Sequence, residues 1–164
     1  MWKRRLLNLG LFILMLTSLI YLHNLETTGV VSGAKRLEFD TIEKGYYSRH
    51  REPAYYVIND PERWAWIWYK HERGVPPRPP PEVDFSNTTI IAVFMGEFST
   101  GGYEIEIKEV IDVGSSILVK VEKTYPGRGC TTTEAFSQPY HIIKLQKIEK
   151  PVTFRTSVRV RICD

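Results

Sequence analysis

Among side chains able to do catalytic chemistry, the scarce ones are two cysteines, Cys130 and Cys163, and four histidines, His23, His50, His71 and His141. A thiol beside a base makes a nucleophile, and Cys130 with His141, eleven residues on, is the pair that would serve a Cys-dependent hydrolase. The same two cysteines suit one disulfide in an oxidising compartment, or a buried thiol. A metal centre needs three or four ligands, and neither cysteine lies in a C-x-x-C motif, so no metal is expected. G-x-S-x-G, H-E-x-x-H and P-loop motifs are absent. The histidines are scattered over tether, loop, helix and strand, and Glu104 and Glu106 alternate with apolar residues as solvated charges on the wet face of a strand. The expectation is a non-enzymatic protein with no catalytic residue and no cofactor, in which Cys130 and Cys163 form a disulfide. The hydrolase is the alternative.

Two irregular segments remain as binding surface. Ser99-Thr100-Gly101-Gly102-Tyr103 is a turn-forming cluster in which adjacent glycines permit positive φ and close backbone approach. It reads either as a tight hairpin between two central strands or as a loop displaying backbone amides and Tyr103 at one rim of the domain. The second segment, Tyr125 to Glu134, is polar with two glycines and includes Arg128; a bond through Cys130 would fix it against the last strand. Ser99, Thr100, Gly101, Gly102, Tyr103 and Arg128 are the candidate binding residues.

These segments need strands to hold them. Period-two alternation marks strands at Tyr103–Lys108, Ile117–Glu122 and Phe154–Ile162, the last with Arg155, Arg159 and Arg161 on one face. The last two read as antiparallel strands with one wet face. Thr89–Phe94 is a continuous apolar run, as in a central strand covered on both faces, and Tyr140–Leu145 follows Pro139 as another strand. Lys35–Ile42 and Ala54–Ile58 are shorter strand candidates. One helix is signalled by Asp60 as N-cap, Pro61 at the first position and Glu62 at the positive end of the dipole. It should run to about His71, stop by Gly74, and press Trp64, Ala65, Ile67, Trp68 and His71 onto the sheet, with Trp66 off that face. The proline-rich stretch Val75–Pro81 reads as an extended connector crossing one end of the sheet, or as a ligand for a proline-recognising partner.

Ahead of these elements, Lys3-Arg4-Arg5 precede seventeen uncharged, mostly apolar residues, Leu6 to Leu22. A helix of about 17 to 20 residues just crosses a hydrocarbon core of roughly 30 Å. Cations before the apolar run direct the N-terminus to the cytoplasm and the remainder outside. The first small-residue pair suited to a signal peptidase, Ser32 and Ala34, lies well downstream, which favours a retained single-pass anchor over a cleaved signal. The expected organisation is a transmembrane signal anchor over 1–22, a tether over 23–35 and one extracytoplasmic β-rich domain over 36–164.

Hydrophobic residues make up 43% of the chain and charged residues 25%, enough for one core in a domain of ordinary size. Of the 22 Lys and Arg, three precede the apolar run, which leaves as many cations as the 19 Asp and Glu. The folded part is near neutral and gives no support to nucleic-acid binding. Asn87-Thr88-Thr89 is an acceptor tripeptide for N-glycosylation. The fold class expected is mainly β, an antiparallel sheet or β-sandwich with one packed helix, preceded by a transmembrane helix.

Several short motifs occur in an order that resembles the PrcB C-terminal domain family of secreted or lipid-anchored proteins. They are Val83-Asp84-Phe85, Gly96 followed by Thr100-Gly101-Gly102-Tyr103-Glu104-Ile105, Pro126 through Gly129-Cys130, Pro139-Tyr140-His141-Ile142-Ile143, and Val152-Thr153-Phe154. The resemblance spans about 60–163. It implies an accessory subunit of a surface protease complex, with a protease as protein partner and no catalytic residue to carry over. Thr100–Tyr103 is also similar to the Thr-Thr-Gly-Tyr loop of chagasin-like cysteine-protease inhibitors, which makes direct inhibition the runner-up.

Overall fold

The computed structural model describes residues 33–163. The expected anchor over 1–22 and the tether up to residue 32 lie outside the described residues. Among the described residues no helix is long and apolar enough to cross a membrane. The compact unit begins at Lys35, inside the segment expected as tether.

Eight strands and one helix follow in chain order: β1 (Lys35–Leu37), β2 (Phe39–Gly45), β3 (Ala54–Ile58), α1 (Pro61–His71), β4 (Thr88–Phe94), β5 (Glu104–Asp112), β6 (Ile117–Pro126), β7 (Tyr140–Gln146) and β8 (Val152–Arg161). They form two four-stranded sheets, ordered β1-β5-β6-β8 and β2-β7-β4-β3. Between the sheets lies one core, with Ile91, Val93, Ile143 and Leu145 from one side and Ile105, Ile107, Val110, Val119 and Val121 from the other. A second core lies on the outer face of the β2-β7-β4-β3 sheet, where Trp64, Ile67 and Trp68 of α1 cover Ile58, Ile90, Ala92, Phe94 and Ile142. Alternate residues of β4 therefore enter different cores, which is why its apolar run is unbroken. The domain is a β-sandwich with a helical third layer.

The helix starts and stops where its sequence dictates. Asp60 has extended backbone, and its Oδ1 accepts from Arg63 N at 2.8 Å, while Pro61 occupies the first turn. Trp66 points outward, 51% exposed, beneath the cations of Arg63 and Lys70. The proline-rich segment packs along α1 instead of crossing the end of the sheet: the indole nitrogens of Trp64 and Trp68 donate to the carbonyls of Pro81 and Arg78 at 3.0 and 2.9 Å.

Three expectations are corrected. β8 pairs with β6 in parallel, from Ile117↔Val152 to Pro126↔Arg161, because β7 carries the chain through the opposite sheet before β8 returns. Period-two alternation reports a wet face but not the direction of the neighbour. The apolar face of β8 is only half covered: Tyr55 of β3 meets Phe154 and Thr156, while Val158, Val160 and Ile162 stand 64%, 59% and 91% exposed. The segment 95–103 is not a hairpin, since β4 and β5 belong to different sheets and the chain crosses the end of the sandwich here.

Candidate functional site

Three inter-strand loops and the end of α1 meet at one end of the sandwich: 46–53, 95–103, 127–139 and 71–74. Backbone hydrogen bonds tie them together, with Gln138 N donating to Tyr46 O at 2.7 Å, Glu97 N to Arg51 O at 2.9 Å and Arg49 N to His71 O at 3.2 Å. Phe98 and Ser137 exchange both backbone bonds, at 2.8 and 2.9 Å. Two glycines make this contact possible. Gly96 has φ +93°, and a Cβ there would lie 3.0 Å from Pro53 Cδ and 3.1 Å from Arg51 O. Gly102 has φ +91°, and a Cβ there would lie 3.0 Å from Thr132 Cγ2 and 3.1 Å from Pro126 Cβ.

Most of the sequence-predicted binding residues hold this rim together from within. Ser99 is exposed, but the carbonyl of Thr100 accepts from Ser137 Oγ at 2.7 Å and Gly101 N donates to Thr133 O at 3.0 Å. The amide of Gly101 is thus engaged by the 127–134 loop instead of being displayed. Tyr103 stacks on Phe98 with centroids 3.9 Å apart and meets Tyr125 edge-on, closing the end of the core. Arg128 is exposed in the turn closed by Cys130 N on Gly127 O, away from the glycine turn; the arginine beside Gly101 and Gly102 is Arg161.

Cys130 and Cys163 form a disulfide with their Cα atoms 5.1 Å apart, so the 127–134 loop is bolted to the end of β8. The nucleophile pair of Cys130 with His141 is not formed. His141 is buried between the sheets, where its Nδ1 accepts from Ile107 N at 3.0 Å, which fixes the tautomer and leaves Nε2–H to donate to Thr41 Oγ1 at 2.9 Å. Burial pulls its pKa down to about 4, so the ring is neutral. His71 has Nε2 3.1 Å from Glu43, whose carboxylate also meets Arg78, while its buried Nδ1 has no partner. Among the described residues no group of His, Cys, Asp and Glu could hold a metal ion. The side-chain amide of Asn87, in the glycosylation tripeptide, donates to Asp84 at 2.9 Å.

Two clefts open on the rim. The smaller, about 180 Å³, is lined by Tyr46, Tyr47, Gly101, Gly102, Ser137 and Arg161, among others. The larger, about 450 Å³, is lined by Ser48, Arg49, Arg51, Arg73, Glu97 and Gln138. Around them stand the exposed rings of Tyr46, Tyr47 and Phe136. Aromatic and arginine side chains on a rim are the composition that carries protein–protein binding energy. Sequence reading missed the 46–53 loop, although Tyr46-Tyr47 followed by Arg49-His50-Arg51 outside any strand pattern was the available signal.

The stretch that joins β4, β5, β6 and β7 with the two crossing loops is the one that comparison picks out. Residues 89–146 match the family model described as PrcB C-terminal. No curated protein and no solved structure matches the chain. The matched stretch is shorter than the 60–163 expected, and it consists of two strands from each sheet, β4 paired with β7 and β5 with β6. It contributes Glu97, Gln138, Gly101 and Gly102 to the rim. Tyr46, Tyr47, Arg49, Arg51, Arg73 and Arg161 come from outside it.

Proposed function

We propose that this chain is a non-catalytic, extracytoplasmic protein-recognition domain, held to a membrane through residues 6–22 and acting as an accessory subunit of a protease complex. The match of 89–146 to the PrcB C-terminal family is the observation that carries the reading, because that stretch supplies two of the three loops that meet at the rim. The disulfide between Cys130 and Cys163 supports a place outside the cytoplasm. The exposed rings of Tyr47 and Phe136 supply anchors of the kind a protein partner buries.

The test uses the full-length chain, tagged at its C-terminus, extracted in mild detergent from its native membranes and analysed by mass spectrometry and peptidase assay. A co-purifying protease, lost when Tyr47→Ala and Phe136→Ala are combined, is the expected result. An eluate without protease removes the accessory role. Suppression of a captured protease by added chain would instead favour the inhibitor, although the Thr100–Tyr103 turn that reading relies on is packed beneath the 127–134 loop.

A further inference from the structure

The larger rim cleft holds three guanidinium groups and one carboxylate. Each arginine sits on pinned backbone: Arg49 N donates to His71 O, Arg51 O accepts from Glu97 N, and Arg73 N donates to Glu72 Oε1. The fold therefore brings the three backbone positions together at one cleft. The one carboxylate, Glu97, is shared: its Oε2 takes a hydrogen bond from Gln138 Nε2 at 2.7 Å and lies 3.6 Å from Arg51 Nε. Among the described residues neither Arg49 nor Arg73 has a carboxylate within ion-pair distance, whereas Arg36, Arg78, Arg159 and Arg161 each pair with a glutamate. Like charges gathered in one cleft repel, and an incoming anion relieves that repulsion.

The other lining groups fit the same ligand. Ser48 and Gln138 are 2% and 6% exposed and form the floor. Ser48 Oγ accepts from His50 N at 3.0 Å, which leaves its hydroxyl proton for a further acceptor. Arg73 Nη1 reaches Gln138 Oε1 at 3.4 Å and its guanidinium lies 5.9 Å from the ring of Tyr47, so this fork is pre-positioned at the mouth.

We propose that the cleft formed by Arg49, Arg51 and Arg73 binds the carboxylates of an acidic peptide segment on the partner protein. This deepens the protein-recognition reading and rests on it for the partner's identity. Planar carboxylates match the guanidinium fork, and Glu97 already occupies the cleft as a resident carboxylate. The near-neutral folded part argues against a nucleic-acid backbone. Glu97 and Gln138 lie within the matched stretch and the three arginines outside it, so the charge of the cleft belongs to this chain's own loops.

Calorimetric titration of the full chain in detergent with a blocked hexaglutamate peptide, with blocked hexaglutamine and inorganic phosphate as comparison probes, tests this. Hexaglutamate is expected to bind and hexaglutamine not to. Combining Arg49→Ala with Arg73→Ala should weaken binding at least tenfold, Arg128→Ala should leave it unchanged, and Glu97→Gln should tighten it by removing the competing charge. Equal binding of hexaglutamine, equal loss with Arg128→Ala, weakening with Glu97→Gln, or displacement by equimolar phosphate would each overturn the site. Because the two substitutions act in opposite directions, misfolding of one cannot imitate the result. A captured protease retained by the double arginine variant sinks the cleft but leaves the accessory role standing; hexaglutamate binding without any captured protease does the reverse.

Discussion

The backbone amide of Ile107 in β5 donates at 3.0 Å to the imidazole Nδ1 of His141 in β7, a hydrogen bond from one sheet of the sandwich to a side chain of the other. It sits at the irregularity where the β5–β6 register slips between Ile107 and Glu109, so the side chain satisfies an amide left over by the bulge. His141→Ala should cost about 3 kcal/mol, from a buried amide without a partner together with the cavity left by the ring. Denaturant unfolding of the variant checks it; a loss below about 0.5 kcal/mol would mean the bond contributes nothing.

Acid should destabilise the domain over a defined window. Burial depresses His50 and His141 to about 4, below the ordinary 6.5 for histidine. A depressed folded pKa means that the unfolded chain takes up protons first. Full stability is therefore present above about pH 6.5 and is lost as pH falls towards 4, by at most about 3 kcal/mol for each ring. His50 has no hydrogen-bond partner on either nitrogen and stacks on Phe94 with centroids 3.7 Å apart. His50→Phe should keep that stacking and flatten the decline of melting temperature between pH 7 and pH 4.5. A profile parallel to the parent's would remove His50 from the account.

Reducing the disulfide should loosen the rim before the core. Closing a loop across a sequence separation of 33 residues stabilises the folded state by roughly 3–4 kcal/mol. Cys130→Ser with Cys163→Ser should lower the melting temperature by several degrees and make the exposed stretch at 131–136 the first site of limited proteolysis. Unchanged cleavage kinetics would show that the loop is held by Gly101 and Ser137 alone.

A Cβ at position 102 should cost about 1–3 kcal/mol, because φ is +91° and Thr132 and Pro126 stand in its way. Gly102→Ala is the test, read by denaturant midpoint. By comparison, Tyr47→Ala on the exposed rim should change stability by less than about 0.5 kcal/mol.

Local chemistry was legible wherever it acts over a few residues. Asp60-Pro61 marked the start of α1, and the unbroken run at Thr89–Phe94 marked a strand buried on both faces. What stayed hidden depends on contacts far apart in the chain. Nothing in Ile117–Glu122 or Phe154–Ile162 states that the two run parallel, since that follows from β7 passing through the other sheet. The glycines at 101 and 102 stood out in the sequence, but the packing that requires them, the approach of Thr132 and Thr133, lies some thirty residues away. The rim arginines Arg49, Arg51 and Arg73 come from two loops with no shared motif, and only folding brings them into one cleft.

The two ends of the domain are fastened very differently. At one edge of its sheet, β1 has three residues and a single neighbour, β5; at the opposite edge, β8 has ten residues along β6 and ends at a covalent bolt. A force transmitted through the N-terminal end would therefore meet a short, easily peeled strand first. The domain would yield by a few residues of length while the two cores and the loop rim kept their shape.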